Sequence, residues 1–416
     1  MQSQLEQLAR EHGGRLISVL TRIFGPHNLE LAEDVVQESF VAALDTWTRD
    51  GVPEDPAAWL LAVARRRAID SIRRERTRRE FAADLATFLD SEFTLTTTVE
   101  QEFAEERVRD DELRMIFMCC HTSLGAEDSI LLILKSLCGF SVQAVARALV
   151  LRPEAVRKRL TRTRERVRGL PFEFPRGDVL QAALATVRRV LYLLFNEGCH
   201  ASGKERPIER ELCFDAMRLT KLIVDEKGLA DGPTIALLAL MCFHAARLDA
   251  RVDDDGNLVG LDAQDRSRWN QALIRRGLAL LVRSRRTSHA AASRELFEAA
   301  IAARHCTART FEQTDWASIC NLYDRWIEHD DDVMARLNHA IAISYRDGPE
   351  AAIPLIEAMT DDARIASSAV LPASLALLYR RAGRERDAAR LLDEARARAT
   401  SVHELSLLEH QYARVL

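Results

Sequence analysis

Apolar positions recur at helical spacing along almost the whole chain. Over residues 5–48 the pattern predicts two helices, broken at Gly25-Pro26, with Asn28 as the cap of the second. Leu31, Val35, Val36, Phe40, Ala43 and Leu44 then form one apolar stripe. Gly51–Pro56 is a turn. Trp59 opens a third helix whose buried side is Ala64, Ala68, Ile69 and Ile72. Residues 81–110 lose this periodicity, carry a TLTTT tract and have the composition of a linker. Two further helices are expected around a turn at Ser123-Leu124-Gly125. Ser141 then caps a short helix, Val142–Leu149, with Val145, Ala146 and Leu149 facing inward. Pro153 stands where a first helical residue often does, and the helix it opens puts Val156, Leu160, Thr163 and Val167 on one side.

Leu170–Pro175 (LPFEFP) reads as a boundary. About ten more helices follow it, with no strand-like alternation. Only Asp253–Gly260 looks like a tight acidic loop or small hairpin. From about residue 315 the helices look repeated. Tyr379, Gly383, Ala388, Leu392 and Ala395 fit the spacing of a tetratricopeptide unit, and Ala340, Ile343, Ala352, Ile356 and Met359 fit it more loosely.

Composition agrees with an all-α fold: Gly (17) and Pro (11) are sparse in 416 residues. That length suits several domains. The pattern places them at 1–80, 112–170 and 175–416, with the linker at 81–111. No run of 18 apolar residues occurs and the first residues are polar, so neither a membrane span nor a signal peptide is expected. The eight cysteines are scattered through apolar helical settings and read as reduced thiols of a cytoplasmic protein.

Charge changes the picture more, because the net of −5 conceals local extremes. Residues 65–80 hold eight Arg against Asp70, Glu75 and Glu80, a local net of +5. Residues 152–168 hold eight Lys or Arg against Glu154 and Glu165, a net of +6. Between them, residues 81–112 carry ten acids against Arg107 and Arg109, a net of −8. Two basic helices suggest two contacts with a polyanion, nucleic acid first. The second follows a short helix and tight turn, so Arg157, Lys158, Arg159 and Arg162 can meet phosphates or base edges in a major groove. The first pairs Arg65, Arg66, Arg67, Arg73 and Arg74 with Trp59, a combination suited to separating strands with exposed bases.

Other constellations point nowhere catalytic. Cys119-Cys120-His121 has no second ligand pair nearby to complete a zinc site. Asp253–Asn257 lacks the spacing of a calcium loop and reads as a solvated turn. His244, His305 and His339 lie among apolar residues and read as buried, hydrogen-bonded histidines. Phosphate-loop, nucleophile-elbow and zincin motifs are missing from the sequence. No enzyme, metal or cofactor is expected.

LAEDVVQESFVAAL (31–44) followed by PAAWLLAVARRRAIDSIRRE (56–75) resembles region 2 of bacterial sigma-70 factors of the extracytoplasmic-function type. Residues 112–168 resemble their region 4. The resemblance implies that Asp34, Gln37 and Glu38 dock on the β′ clamp of core RNA polymerase. Trp59, Arg65, Arg66, Arg67, Asp70, Arg73 and Arg74 would recognise and open the −10 element, and Arg157, Lys158, Arg159 and Arg162 would read the −35 element while region 4 meets the β flap. Arg66 stands where these factors often have Asn. VLYLLFNEGCHAS, ALLALMCFHAARLDAR and LFEAAIAARHCTA look like the long C-terminal extension of one subgroup. That extension is expected to regulate the factor, with a protein or small-molecule partner. The acidic linker would occupy the positive channel of the polymerase. The competing expectations are a stand-alone helix-turn-helix regulator and a protein scaffold.

Overall fold

A computed structural model describes residues 2–78, 105–149, 151–199, 208–254, 256–287, 292–366 and 368–399. Among these the structure is helical, and the β-contact is an isolated antiparallel bridge between Val252 and Leu258. Two compact units divide between Leu191 and Tyr192.

The first unit contains α1 (Gln2–Phe24), α2 (Leu29–Asp50), α3 (Pro56–Arg78), α4 (Glu105–Cys119), α5 (Ala126–Leu132), α6 (Val142–Ala148), α7 (Pro153–Val167) and the start of α8 (Asp178–Cys199). Gly25, at φ +82°, ends α1 in a conformation that suits a residue without Cβ. Asn28 stands at the N-cap position of α2, but its side chain makes no capping bond there. Its Nδ2 instead donates to the Phe24 carbonyl at 2.8 Å, satisfying the end of α1. The buried residues of α2 are Leu29, Ala32, Glu33, Val35, Val36, Ser39, Ala43 and Trp47. Leu44, expected in the stripe, is 41% exposed, because it sits about 100° around the helix from Ala43.

α1 packs on α2, α4 and the π-turn Ile133–Leu137 that continues α5. Gly14 makes this approach possible: a Cβ there would lie 2.1 Å from the Leu137 carbonyl oxygen. α4 begins at Glu105, inside the stretch expected to be linker. Its Asp111 and Glu112 are each 1% exposed. Arg22 and Arg114 reach Asp111 at 2.9 and 3.4 Å, and Arg15 reaches Glu112 at 3.5 Å. These acids therefore fasten α4 to α1 and add nothing to a repelling spacer. The remainder of the expected linker, 81–104, lies outside the described residues.

Ser141 Oγ accepts the Ala144 amide at 3.1 Å, capping α6 as its sequence implies. Val156, Leu160, Thr163 and Val167 are buried along α7. The two compact units divide between Leu191 and Tyr192, some way past the expected boundary at Leu170–Pro175. Phe174 packs edge-on against Phe117 at 6.1 Å and lies under the Arg114 guanidinium at 5.3 Å, which ties this segment back onto α4.

The second unit continues with α9 (Arg210–Asp225), α10 (Gly232–Ala245), α11 (Gln271–Arg285), α12 (Arg294–Thr307) and α13 (Trp316–His329). It ends with α14 (Val333–Arg346), α15 (Pro349–Glu357), α16 (Val370–Arg381) and α17 (Glu385–Arg398). α10 is its centre. Every residue but Pro233 and His244 is buried, against α9, α11 and α12. Gly232–Ala250 is apolar enough to span a membrane by composition, yet 78% of it is buried inside the protein, as in a core helix. From α13 to α17 each helix packs on the next. Asp253 Oδ1 accepts the Asn257 amide at 2.7 Å, which makes the expected acidic turn. All eight cysteines are buried, and none forms a disulfide among the described residues.

Candidate nucleic-acid and polymerase interface

Asp55 Oδ1 accepts the Ala58 amide at 2.9 Å and starts α3. Trp59, one turn in, meets Trp47 of α2 edge-on at 5.2 Å. This aromatic pair sets α3 against α2. Trp59 is thus partly buried as a packing residue. Beyond it the cations divide by face. Arg65 and Arg67 are partly buried, while Arg66, Asp70, Arg73 and Arg74 are exposed. Arg74 Nε donates to the Asp70 carbonyl at 3.1 Å.

The three acidic and amide residues expected at a polymerase contact converge on one groove. Asp34, Gln37 and Glu38 line a cleft of about 540 Å³ together with Val41, Asp45 and Arg67. Arg67 Nη1 donates to Glu38 Oε2 at 2.7 Å, so one of the expected −10 cations belongs to this groove. Burial raises the Asp34 carboxyl above its ordinary range, and Glu30 adds to that. Val41, 63% exposed in the same groove, was missed from sequence. Its spacing of three and seven residues from Glu38 and Asp34 was the available signal.

On α7 the basic residues separate into two kinds. Arg157, Lys158 and Arg162 are exposed. Arg157 has a loose i−3 pair with Glu154 at 3.5 Å. Lys158 and Arg162 have no ion pair among the described residues. Arg159 is different: it reaches Asp128 at 2.5 Å and Glu127 at 2.6 Å, which fixes α7 to α5. Arg166 also meets Asp128, at 3.1 Å.

Sequence reasoning missed the residue that joins α7 to α2. Arg164, 14% exposed at its side chain, pairs with Glu30 at 2.9 Å and with the fully buried Glu33. Ser136 donates to the other oxygen of Glu33. Lys135 lies near this acid, and burial lowers its ammonium. A glutamate inside an otherwise apolar stripe was the available hint, because buried carboxylates need a partner. Cys119 and Cys120 are buried with their thiols pushed up by desolvation, and His121 Nδ1 lies 2.8 Å from Ser123 Oγ. Among the described residues no cluster of three His, Cys, Asp or Glu could hold a metal.

Comparison with known proteins bears on both units. Residues 8–78 match the Sigma-70 region 2 family, a span that takes in most of α1, all of α2 and α3, and the groove. Residues 183–285 match a family of unknown function (DUF6596). An uncharacterised protein of Rhizobium meliloti (strain 1021) is 34% identical over 397 residues, 95% of this chain and 92% of that protein. A probable ECF RNA polymerase sigma factor, SigI, of Mycobacterium tuberculosis is 27% identical over 158 residues, 38% of this chain and 52% of that one. Sigma factors are non-enzymatic transcription factors, and their role implies core RNA polymerase and promoter DNA as partners. With a sigma-70 region 2 at its head and a probable extracytoplasmic-function sigma factor among its relatives, the chain belongs with the sigma-70 factors of that type, and its match to DUF6596 is consistent with a subgroup that carries a C-terminal extension.

Proposed function

We propose that this sigma factor binds core polymerase through the α2–α3 groove and directs initiation at promoters read by α3 and α7. Asp34, Gln37 and Glu38 supply the polar wall for the β′ clamp, and the exposed Val41 supplies apolar contact. Arg66, Arg73 and Arg74 meet the −10 strand, with Trp59 holding α3 in place. α6 and α7 act as a helix-turn-helix in which Arg157, Lys158 and Arg162 contact the −35 duplex, on or near the β flap. The second unit, with tetratricopeptide-like repeats from α13 onward, modulates this activity from the cytoplasm.

One observation carries the reading: α7 presents unpaired cations on the side opposite its buried stripe, one tight turn after a capped helix. The test uses the full chain and purified core polymerase. Reversing Asp34 and Glu38 to Arg should abolish co-purification with the polymerase and leave duplex binding intact. Reversing Lys158 and Arg162 to Glu should keep co-purification and remove promoter-dependent transcripts. Duplex binding without any polymerase association by the unaltered chain would favour a stand-alone regulator.

A further inference from the structure

The second unit brings two arginines, Arg247 and Arg266, together on one tryptophan with only neutral hydrogen-bond partners. Arg247 follows α10, and Arg266 opens the 3₁₀ turn Arg266–Arg268. Their guanidinium carbons lie over the Trp269 ring, 5.6 and 4.5 Å from its centroid. An indole face attracts cations without cancelling their charge. Arg247 Nε donates to Gln264 Oε1 at 3.0 Å, and Arg266 Nη1 donates to the carbonyls of His305 and Ala308 at 2.6 and 2.8 Å. Every one of these partners is neutral.

Among the described residues, neither arginine has an ion pair. The acid that Arg266 feels is Glu312, exposed and bonded to Thr310. Arg251, only 8% exposed, adds a third positive charge beside Arg247. Burial, then Arg251, push the Arg247 guanidinium down to about 10. Burial, with Arg247 and Arg266, pushes the His305 imidazole down to about 3. Three polar atoms of the cluster are buried without a hydrogen-bond partner: Arg266 Nη2, Trp269 Nε1 and His305 Nδ1. His305 therefore departs from the hydrogen-bonded histidine expected of it.

A buried guanidinium without a counter-charge is far less stable than a paired one, and an orphaned buried N–H adds to the cost. A bound oxyanion relieves both at once. It neutralises the mutual repulsion and accepts from the unused donors, and the forked guanidinium matches carboxylate and phosphate geometry. Both arginines keep some exposure to solvent, and His305 turns toward a neighbouring cavity of about 210 Å³ lined by Asp262, Phe311, Trp316 and Tyr345. We infer that Arg247, Arg266, Trp269 and His305 form a binding site for a small ligand bearing a carboxylate or phosphate group. The extension is thereby a receptor for a small anionic molecule, whatever the first unit binds.

The experiment measures binding to the full chain by calorimetry and thermal shift at pH 7.5. Inorganic phosphate and acetate are titrated against chloride at matched ionic strength. At least one oxyanion should bind saturably beyond the chloride control. Its affinity should fall at least tenfold in Arg266→Gln and in Arg247→Gln, and partially in Arg266→Lys, which keeps the charge but loses the fork. Arg162→Ala, on the candidate DNA helix, should leave it unchanged. If Arg247→Gln fails to fold, the two Arg266 variants still decide. Preference for phosphate over acetate identifies the headgroup. Absence of saturable binding by either oxyanion, or affinity unaltered in the Arg266 variants, overturns the site.

Discussion

Arg159 and Arg162 stand three residues apart on α7, yet their surroundings give them different work. Arg159 meets Glu127 and Asp128, whereas Arg162 faces solvent. Arg162→Ala should therefore leave thermal stability unchanged and lower promoter affinity, with the salt slope of binding falling by about one unit. Arg159→Ala should instead destabilise the first unit by about 1 kcal/mol, since its ion pairs are partly exposed. Urea unfolding and salt-dependent DNA titration separate the two. His305 gives a pH prediction. Its folded-state pKa of about 3 lies below the ordinary 6.5, so the folded chain resists protonation there. Stability from this residue is complete above pH 6.5 and is lost as pH falls toward 3. Denaturant midpoints measured from pH 7 to 5 should decline, by at most about 1.4 kcal/mol per pH unit from this group. His305→Gln should flatten that slope; an unchanged slope would count against the assignment.

Elements fit together here through close approaches more than through stripe length. α1 meets the Ile133–Leu137 turn at Gly14, where a Cβ would fall 2.1 Å from a backbone oxygen that cannot rotate away. Gly14→Ala must push α1 outward, and overpacking of this kind costs roughly 1–3 kcal/mol. An equilibrium unfolding curve should show that loss despite alanine's better helix propensity. Gly13, its neighbour, has open space at the corresponding position. Gly13→Ala is the control and should be neutral or slightly stabilising.

At the scale of the whole molecule, each unit is organised around a few buried charges. In the first, Glu33 accepts from Arg164 and Ser136, linking α2 to α7 across 131 residues of sequence. Glu33→Ala should cost about 1–3 kcal/mol, because it leaves Ser136 without its acceptor and the largely buried Arg164 guanidinium with Glu30 alone. Replacing both Glu33 and Arg164 by Leu should recover most of that loss, as a double-mutant cycle would reveal. Equal losses in the single and double variants would show that the pair is not what joins these helices. In the second unit, Arg247 and Arg266 have only neutral hydrogen-bond partners, and an external anion is the partner proposed for them.

Much of this was legible in the chain. Periodicity alone located the helices, because a 3.6-residue repeat of apolar side chains has one regular solution. Cap chemistry at Ser141 and Pro153 was equally local, and so was the burial of Val156, Leu160, Thr163 and Val167. Local charge marked α3 and α7 as the basic helices. The sequence could not say which of their cations are free, since that depends on residues far along the chain. Glu127 and Asp128 occupy Arg159; Glu30 and Glu33 occupy Arg164. It also counted Asp111 and Glu112 among repelling acids, although tertiary packing places them against Arg22 and Arg15. A charge's sign is written in the sequence. Its partner, and therefore whether it remains available to DNA, polymerase or a small anion, is decided by long-range packing, where desolvation makes each buried charge find a partner or do without one at a cost.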